Sequence, residues 1–493
     1  PLENPFVEIE RVDANLALMQ FFRDQYDVQK LDLREPILNI AIAEDGGFEF
    51  PITLSNNGGR NNVSIKQAQL INGSILFSDK RADEHWRLEN INGELSAAGL
   101  RGPFAFEGQG ELDQAQYDLR INSSDLNQKG DIRLKTFVSP RDQGFSISSE
   151  GVLSTASLSP FYDGGFRVSV APRNLEENEV RGNALFEGKI QLDPTRLKLT
   201  EFSVLPDENR AGTRLTGALD VSLGAQRTFE AVVSGGVVPL LPQDALSQSD
   251  EDPYALVTLL TSLPAPPQLG NVAGRLSIDV ADLGLRSTSL RNVLVDATTD
   301  GESWQIEQLS AGLAGDTSIN LSGVLIEAQG NAAFDGMLEM STERLDALAR
   351  AWRSFGDRNP LFGATASLAT QFGFSSSGAT FSNGLLKLDD QQIRLNIDWR
   401  EEDVRRLDIN AELSAFGADA SAKLFAMLPD PSRPLAFNNS FPTGKFSVRA
   451  DELVVSDLPT AGLITEGSWT QDSILIDRYS IREAHGVRLQ GAG

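Results

Sequence analysis

The chain has 493 residues, with 43 basic against 69 acidic side chains, a formal net charge of −26, and no cysteine. The missing thiols exclude disulfides, zinc–thiolate sites and cysteine nucleophiles. The acidic balance, with no basic run, argues against nucleic acid as a partner and against extended attraction to an anionic membrane face. At 40% hydrophobic residues the apolar content is that of a globular protein, so disorder does not dominate. No run of about 20 apolar residues is present to span a bilayer as a helix.

Residues 1–62 read as an opening segment. Over 16–26, Leu18, Phe21, Phe22 and Gln25 fall at helical spacing and predict a short helix. Leu31 and Leu33, then Leu38, Ile40 and Ile42, alternate on either side of Pro36, and Asp45-Gly46-Gly47 signals a turn. Residues 63–239 read as strand after strand, the first half of an array. A phrase recurs there, a glycine followed by a short alternating strand: Gly73-Ser74-Ile75-Leu76-Phe77, Gly93-Glu94-Leu95, Gly110-Glu111-Leu112, Gly130-Asp131-Ile132 and Gly151-Val152-Leu153. Successive glycines lie 20, 17, 20 and 21 residues apart. Such a step holds two strands of about 8 residues and their turns, so the repeating unit reads as a hairpin. Stacked hairpins make a quasi-one-dimensional β array, which offers a long surface rather than a compact pocket.

Residues 240–271 break the pattern as a loop–helix insertion, with Asp252 as N-cap and Pro253 at the first helical position of a helix near 253–262. Strands resume at Val272, and 272–493 forms the second half. Within it Leu345, Leu348, Ala349, Trp352 and Phe355 predict a helix near 342–355. Strands return at Thr365 and run to the end, with a loop over 429–442. Pro1 and Gly493, the latter falling inside the repeating pattern, read as the ends of a piece cut from something longer.

Motifs that carry chemistry are few. The two histidines, His85 and His485, are 400 residues apart, read as surface residues near turns, and supply no triad or metal set. No phosphate-cradling string and no calcium-loop spacing occurs. No catalytic residue, metal site or cofactor is therefore expected. What remains is the apolar face. Alternation places Ile190, Leu192, Leu197, Leu199, Leu215, Leu219 and Val221 on one side of the first half, and Ile306, Leu309, Ile319 and Leu321 on one side of the second. The expected fold is all-β with a few short helices, an elongated antiparallel array curled into a U-shaped apolar groove floored by these eleven residues.

The opening block, Leu18 to Phe22, then Leu31, Leu33, Pro36, Leu38, Ile40, Ile42 and Asp45-Gly46, resembles the start of AsmA-family envelope proteins, which include TamB-like proteins. Phe48-Glu49-Phe50-Pro51 stands where the family often has an Asn-Trp pair. The cadence of Ile306 to Gly323 and of Asp451 to Ile481 is similar to the family too. The resemblance implies a bridge-like lipid-transfer protein of the Gram-negative periplasm, held to the inner membrane by an N-terminal helix outside this sequence. It implies phospholipid acyl chains as the cargo, carried between inner and outer membranes through the groove, with no catalytic residue. The alternative is an outer-membrane protein assembly factor or envelope scaffold, whose partners would be outer-membrane assembly proteins.

Overall fold

A computed structural model describes residues 5–16, 26–44, 46–49, 63–99, 101–155, 159–171, 183–207, 213–239, 255–285, 288–351, 359–401, 404–428, 442–455, 458–470 and 473–492. It is 74% strand and 5% helix, so the chain is all-β with a few short helices, as expected. The chain divides into two compact units, Pro1–Gly235 and Gly236–Gly493.

In the first unit the strands are β1 (Val7–Leu16), β2 (Tyr26–Ile42), β3 (Phe48–Glu49), β4 (Val63–Asp79), β5 (Glu84–Ala97), β6 (Phe104–Leu112), β7 (Ala115–Ser123), β8 (Asp131–Pro140), β9 (Phe145–Ser154), β10 (Phe161–Val170), β11 (Ala184–Asp193), β12 (Arg196–Leu205), β13 (Leu215–Leu223) and β14 (Arg227–Pro239). From β4 to β14 each strand pairs antiparallel with the next. The sheet is open and curled. One pairing departs from an all-antiparallel array. β2 takes β1 and β3 as antiparallel partners but β4 as a parallel one, because the chain from Ile42 to Val63 is long enough to return to the starting end of the sheet. The helix expected over 16–26 lies on 17–25, outside the described residues; Leu16 and Tyr26 are the end of β1 and the start of β2.

The second unit holds helix α1 (Ala255–Thr261), β15 (Val272–Leu285), β16 (Thr288–Thr299), β17 (Trp304–Leu313), β18 (Thr317–Ala328), β19 (Asn331–Thr342), α2 (Leu345–Leu348) with a 3-10 turn over Ala349–Ala351, β20 (Ala366–Ser375), β21 (Gly378–Leu388), β22 (Gln391–Arg400), β23 (Arg406–Phe416), α3 (Ala418–Met427), β24 (Gly444–Val455), β25 (Leu458–Trp469), β26 (Ile474–Ala484) and β27 (Val487–Ala492). α1 falls within the stretch expected to be helical. The helix expected over 342–355 is present as α2 and the 3-10 turn, and its Trp352 and Phe355 lie outside the described residues. α3 corrects the sequence reading, which carried strands through this stretch. Its ten residues lie in the connection between β23 and β24, which pair in parallel; every other described strand pair of this unit is antiparallel.

Of the glycines of the recurring phrase, Gly130 lies in a turn just before β8, with φ 85°, and the other four do not. Gly73, Gly93, Gly110 and Gly151 sit inside β4, β5, β6 and β9, and the tight turns use other residues. Asp113-Gln114, Gln329-Gly330 and His485-Gly486 each link two strands with both residues in the left-handed region, the geometry that matches strand twist. Four asparagines, Asn72, Asn90, Asn292 and Asn383, adopt the same conformation within strands. Each stands where the pairing register shifts, so each makes a β-bulge, which strengthens the local twist.

Packing differs between the units. In the first, the buried apolar side chains among the described residues are Ile42, Ala68, Ile91, Ala97, Leu199 and Phe202, too few for a second layer. In the second, two clusters lie at opposite strand ends. Val257 and Leu260 of α1 pack with Leu263 against Phe334, Phe372, Phe374 and Trp399. Leu345 and Leu348 of α2, Leu361, and Ala426 of α3 pack with Leu388, Ile393, Leu413 and Phe416. Helices, not a second sheet, cover the apolar side there.

Candidate functional site

Directly paired residues on neighbouring strands point to the same face of a sheet, so register decides whether the expected groove residues belong together. Ile190 pairs with Leu199 and Leu199 with Leu219; Leu192 pairs with Leu197 and Leu197 with Val221. Leu215, Leu219 and Val221 alternate along β13. All seven therefore share one face of the first unit. The same face continues sideways through Phe186, Val168, Ile147, Val138 and Leu119. In the second unit Leu309 pairs with Leu321, Ala311 with Ile319, and Ile306 with Gly323, so Ile306, Leu309, Ile319 and Leu321 share a face. A register shift between Ile306 and Leu309 is what keeps both on it despite their odd spacing.

This face is not shut away. Of the eleven residues, Leu199 is buried at 6% exposure and Leu192 is open at 37%; the other nine are half-buried. Ile306 and Leu321 also touch the phenylalanine cluster under α1. The opposite face of the first unit is solvated. Arg120–Glu107, Lys135–Glu150, Arg167–Glu187 and Lys189–Glu201 face each other there across adjacent strands.

The apolar face carries a repeated device. Phe106-Glu107-Gly108, Tyr162-Asp163-Gly164 and Phe334-Asp335-Gly336 each place an aromatic two residues before a glycine, and that glycine pairs with another across the ladder: Gly93, Gly151 and Gly323. The ring lies over the gap. A Cβ added to Gly108 would meet Phe106 Cζ at 2.8 Å, one on Gly151 would meet Tyr162 Cζ at 2.8 Å, and one on Gly336 would meet Phe334 Cζ at 2.7 Å. Rings thus cover backbone that glycine would leave bare. The sequence reading noticed the glycines but missed the aromatic–acid–glycine triplet, the local signal for this feature.

At one end of the first unit the curl brings strand tips together. The turn between β4 and β5 meets the turn between β13 and β14, where Arg227 Nη1 and Nη2 donate to Glu84 Oε1 and Oε2 at 2.8 and 2.7 Å, across 143 residues of sequence. Beside them Arg81 donates to both oxygens of Asp79 at 2.9 and 2.7 Å, and both of these side chains are 7% exposed. The Arg81 guanidinium holds the Asp79 carboxyl below its ordinary range, and Arg227 does the same for Glu84. Under this seam lies a half-enclosed cavity of about 420 Å³, lined by Ile42, Phe77, Trp86, Leu153, Tyr162, Leu192 and Leu223 together with the charged groups. Of the expected groove residues it takes in Leu192. Sequence reasoning missed the rest, because no local pattern links residue 84 to residue 227.

Both histidines lie at the surface beside turns. His85 is the second residue of β5, 3.7 Å from the exposed Asp83, and His485 sits in the turn before β27. Among the described residues no group of three or more histidine, aspartate or glutamate side chains is placed to hold a metal ion, and no helix is long and apolar enough to cross a membrane. No protein-family model, curated protein or solved structure matches this chain.

Proposed function

We propose that this chain is an AsmA-like, non-enzymatic carrier of phospholipid between the inner and outer membranes, working in the periplasm from an inner-membrane anchor. The observation that carries the reading is the register: the eleven apolar side chains fall on one face in each unit, and ten of them stay at least partly exposed where a packed core would bury them. An acyl chain in water is unfavourable by about 0.8 kcal/mol per CH₂. An apolar face of this kind removes that cost along its length without specific contacts. The solvated face, with its cross-strand ion pairs and the net charge of −26, keeps such a sheet soluble.

Native mass spectrometry of the purified chain tests this. Phospholipid should accompany the wild-type protein and be depleted in the Leu219→Asp and Leu321→Asp variants. A folded wild-type chain that carries none would set the lipid reading aside. The exposed sheet would then be read as an assembly scaffold for outer-membrane proteins.

A further inference from the structure

The cavity beneath the strand-tip seam has properties the open face lacks. Its volume falls within the range of small-molecule sites, about 300–1,000 Å³, and aromatic rings, Phe77, Trp86 and Tyr162, form much of its wall. Five charged residues line it, namely Asp79, Glu84, Asp193, Arg81 and Arg227: three carboxylates against two guanidiniums, a local balance of −1. The carboxylates are all engaged. Asp79 accepts from Arg81, Glu84 from Arg227, and Asp193 from the Thr195 and Arg196 amides and the Thr195 hydroxyl. One polar atom is left over. Arg227 Nε is buried and has no acceptor among the described residues, although both terminal nitrogens of the same side chain are used on Glu84. A buried donor without an acceptor is costly, and an acceptor supplied by a ligand would satisfy it.

We propose that this cavity is a binding site for a neutral single-chain amphiphile, an aliphatic tail bearing one uncharged acceptor such as an ester carbonyl. The tail lies against Phe77, Trp86 and Leu153, and the carbonyl accepts from Arg227 Nε. A charged head is disfavoured, since a ligand carboxylate would have to be buried beside a wall that already carries one excess negative charge. The site therefore discriminates by charge, which an open apolar face does not. It stands apart from the phospholipid reading, and either can fail without the other.

The test uses Trp86 as the reporter, with bromine on the ligand as a contact quencher. Methyl 12-bromododecanoate should quench the wild-type protein saturably, and Trp86→Phe should remove that saturable component. Ionised 12-bromododecanoate at pH 8 should bind at least tenfold more weakly. Leu192→Glu changes a side chain that is already 37% exposed and should cost at least tenfold in ester affinity. Arg227→Lys keeps a cation for Glu84 but removes Nε–H; it should weaken the ester three- to tenfold and leave 1-bromododecane, which has no acceptor, unchanged. Circular dichroism checks that each variant folds. Absence of Trp86-dependent quenching overturns the proposal, as does equal binding of ester and acid, or an unaltered ester affinity in folded Leu192→Glu. Native mass spectrometry of Arg227→Lys, which leaves all eleven residues of the open face in place, separates the two readings: phospholipid retained while the ester is weakened assigns the cavity its own ligand.

Discussion

The seam in the first unit can be opened by a single change, Arg227→Gln. The wild-type pair makes two charge-assisted hydrogen bonds at 2.8 and 2.7 Å, and Arg227 and Glu84 keep 27% and 37% of their side-chain surface exposed. A fully exposed pair is worth about 0–1 kcal/mol and a broken buried pair costs about 3–5 kcal/mol. Partial exposure puts this one between, at about 1–3 kcal/mol. Because the pair joins β5 to β14 rather than neighbouring strands, the loss should appear locally, at the tips. At about 1.4 kcal/mol per factor of ten, amides of the β4–β5 and β13–β14 turns that open with the seam should exchange with solvent roughly 5- to 150-fold faster. Amides in the middle of β7 to β9 should not change. The reciprocal exchange, Glu84→Arg with Arg227→Glu, should recover part of the protection, though not all, because Asp79 interacts favourably with Arg227 and would repel a glutamate there. Acid sharpens the test. Glu84 and Asp79 have depressed pKa values in the folded chain, so their stabilisation is complete above the unfolded values of about 4.3 and 3.9. It is lost as pH falls through the lower folded values. Tip protection should therefore fade below about pH 4 in the wild type, and less steeply in Arg227→Gln. Exchange within twofold of wild type, or an identical acid profile, would refute this account of the closure.

Other expectations follow from the same geometry. Leu219→Asp should abolish lipid recovery without unfolding the sheet, since desolvating a carboxylate against an acyl chain costs several kcal/mol; Ser222→Asp, on the opposite face, should leave recovery intact. Gly217→Val should destabilise the first unit by about 1–3 kcal/mol, because even a Cβ there meets Phe202 Cζ at 2.6 Å, whereas Gly224→Ala, with open space around it, should be neutral in the same urea titration. Ser421→Ala should cost about 1–3 kcal/mol. The Ser421 hydroxyl, 1% exposed, donates to the Phe416 carbonyl and accepts from the Val454 amide, and faster hydrogen exchange at Val454 would report the loss.

The strand pattern was legible because period-2 alternation survives any tertiary context in which one face stays apolar. Leu197, Leu199, Leu219 and Val221 were placed on one side by spacing alone, and the ladder pairs them. Ile306 and Leu309, three apart, depended on a bulge that spacing does not reveal. The recurring glycines read as standing ahead of strands, yet four of the five lie inside them, because the same residue serves two needs: a left-handed backbone in turns, and the absence of a side chain inside strands. Gly330 does the first, with φ 81°, and Gly93 the second. α3 escaped notice because Ala418-Asp419-Ala420-Ser421-Ala422 carries only a weak apolar stripe, and its helix is held from outside, by Ser421 and by Ala426 in the core. The seam was invisible for a different reason: an ion pair over 143 residues leaves no trace in any local window.

The paired glycines have one more consequence. Where Gly93 faces Gly108, Gly151 faces Gly164, and Gly323 faces Gly336, two backbones meet with no Cβ atoms to hold them apart on that side, and a sheet bends most readily at such points. The place where a sheet curls can therefore be set by the position of such pairs, separately from the hydrophobicity of the floor. Moving a pair by one strand would shift the fold line while leaving the apolar count unchanged. The place of the curl and the stickiness of the floor can then vary independently in sequences of this kind, the first through glycine position and the second through leucine and valine content.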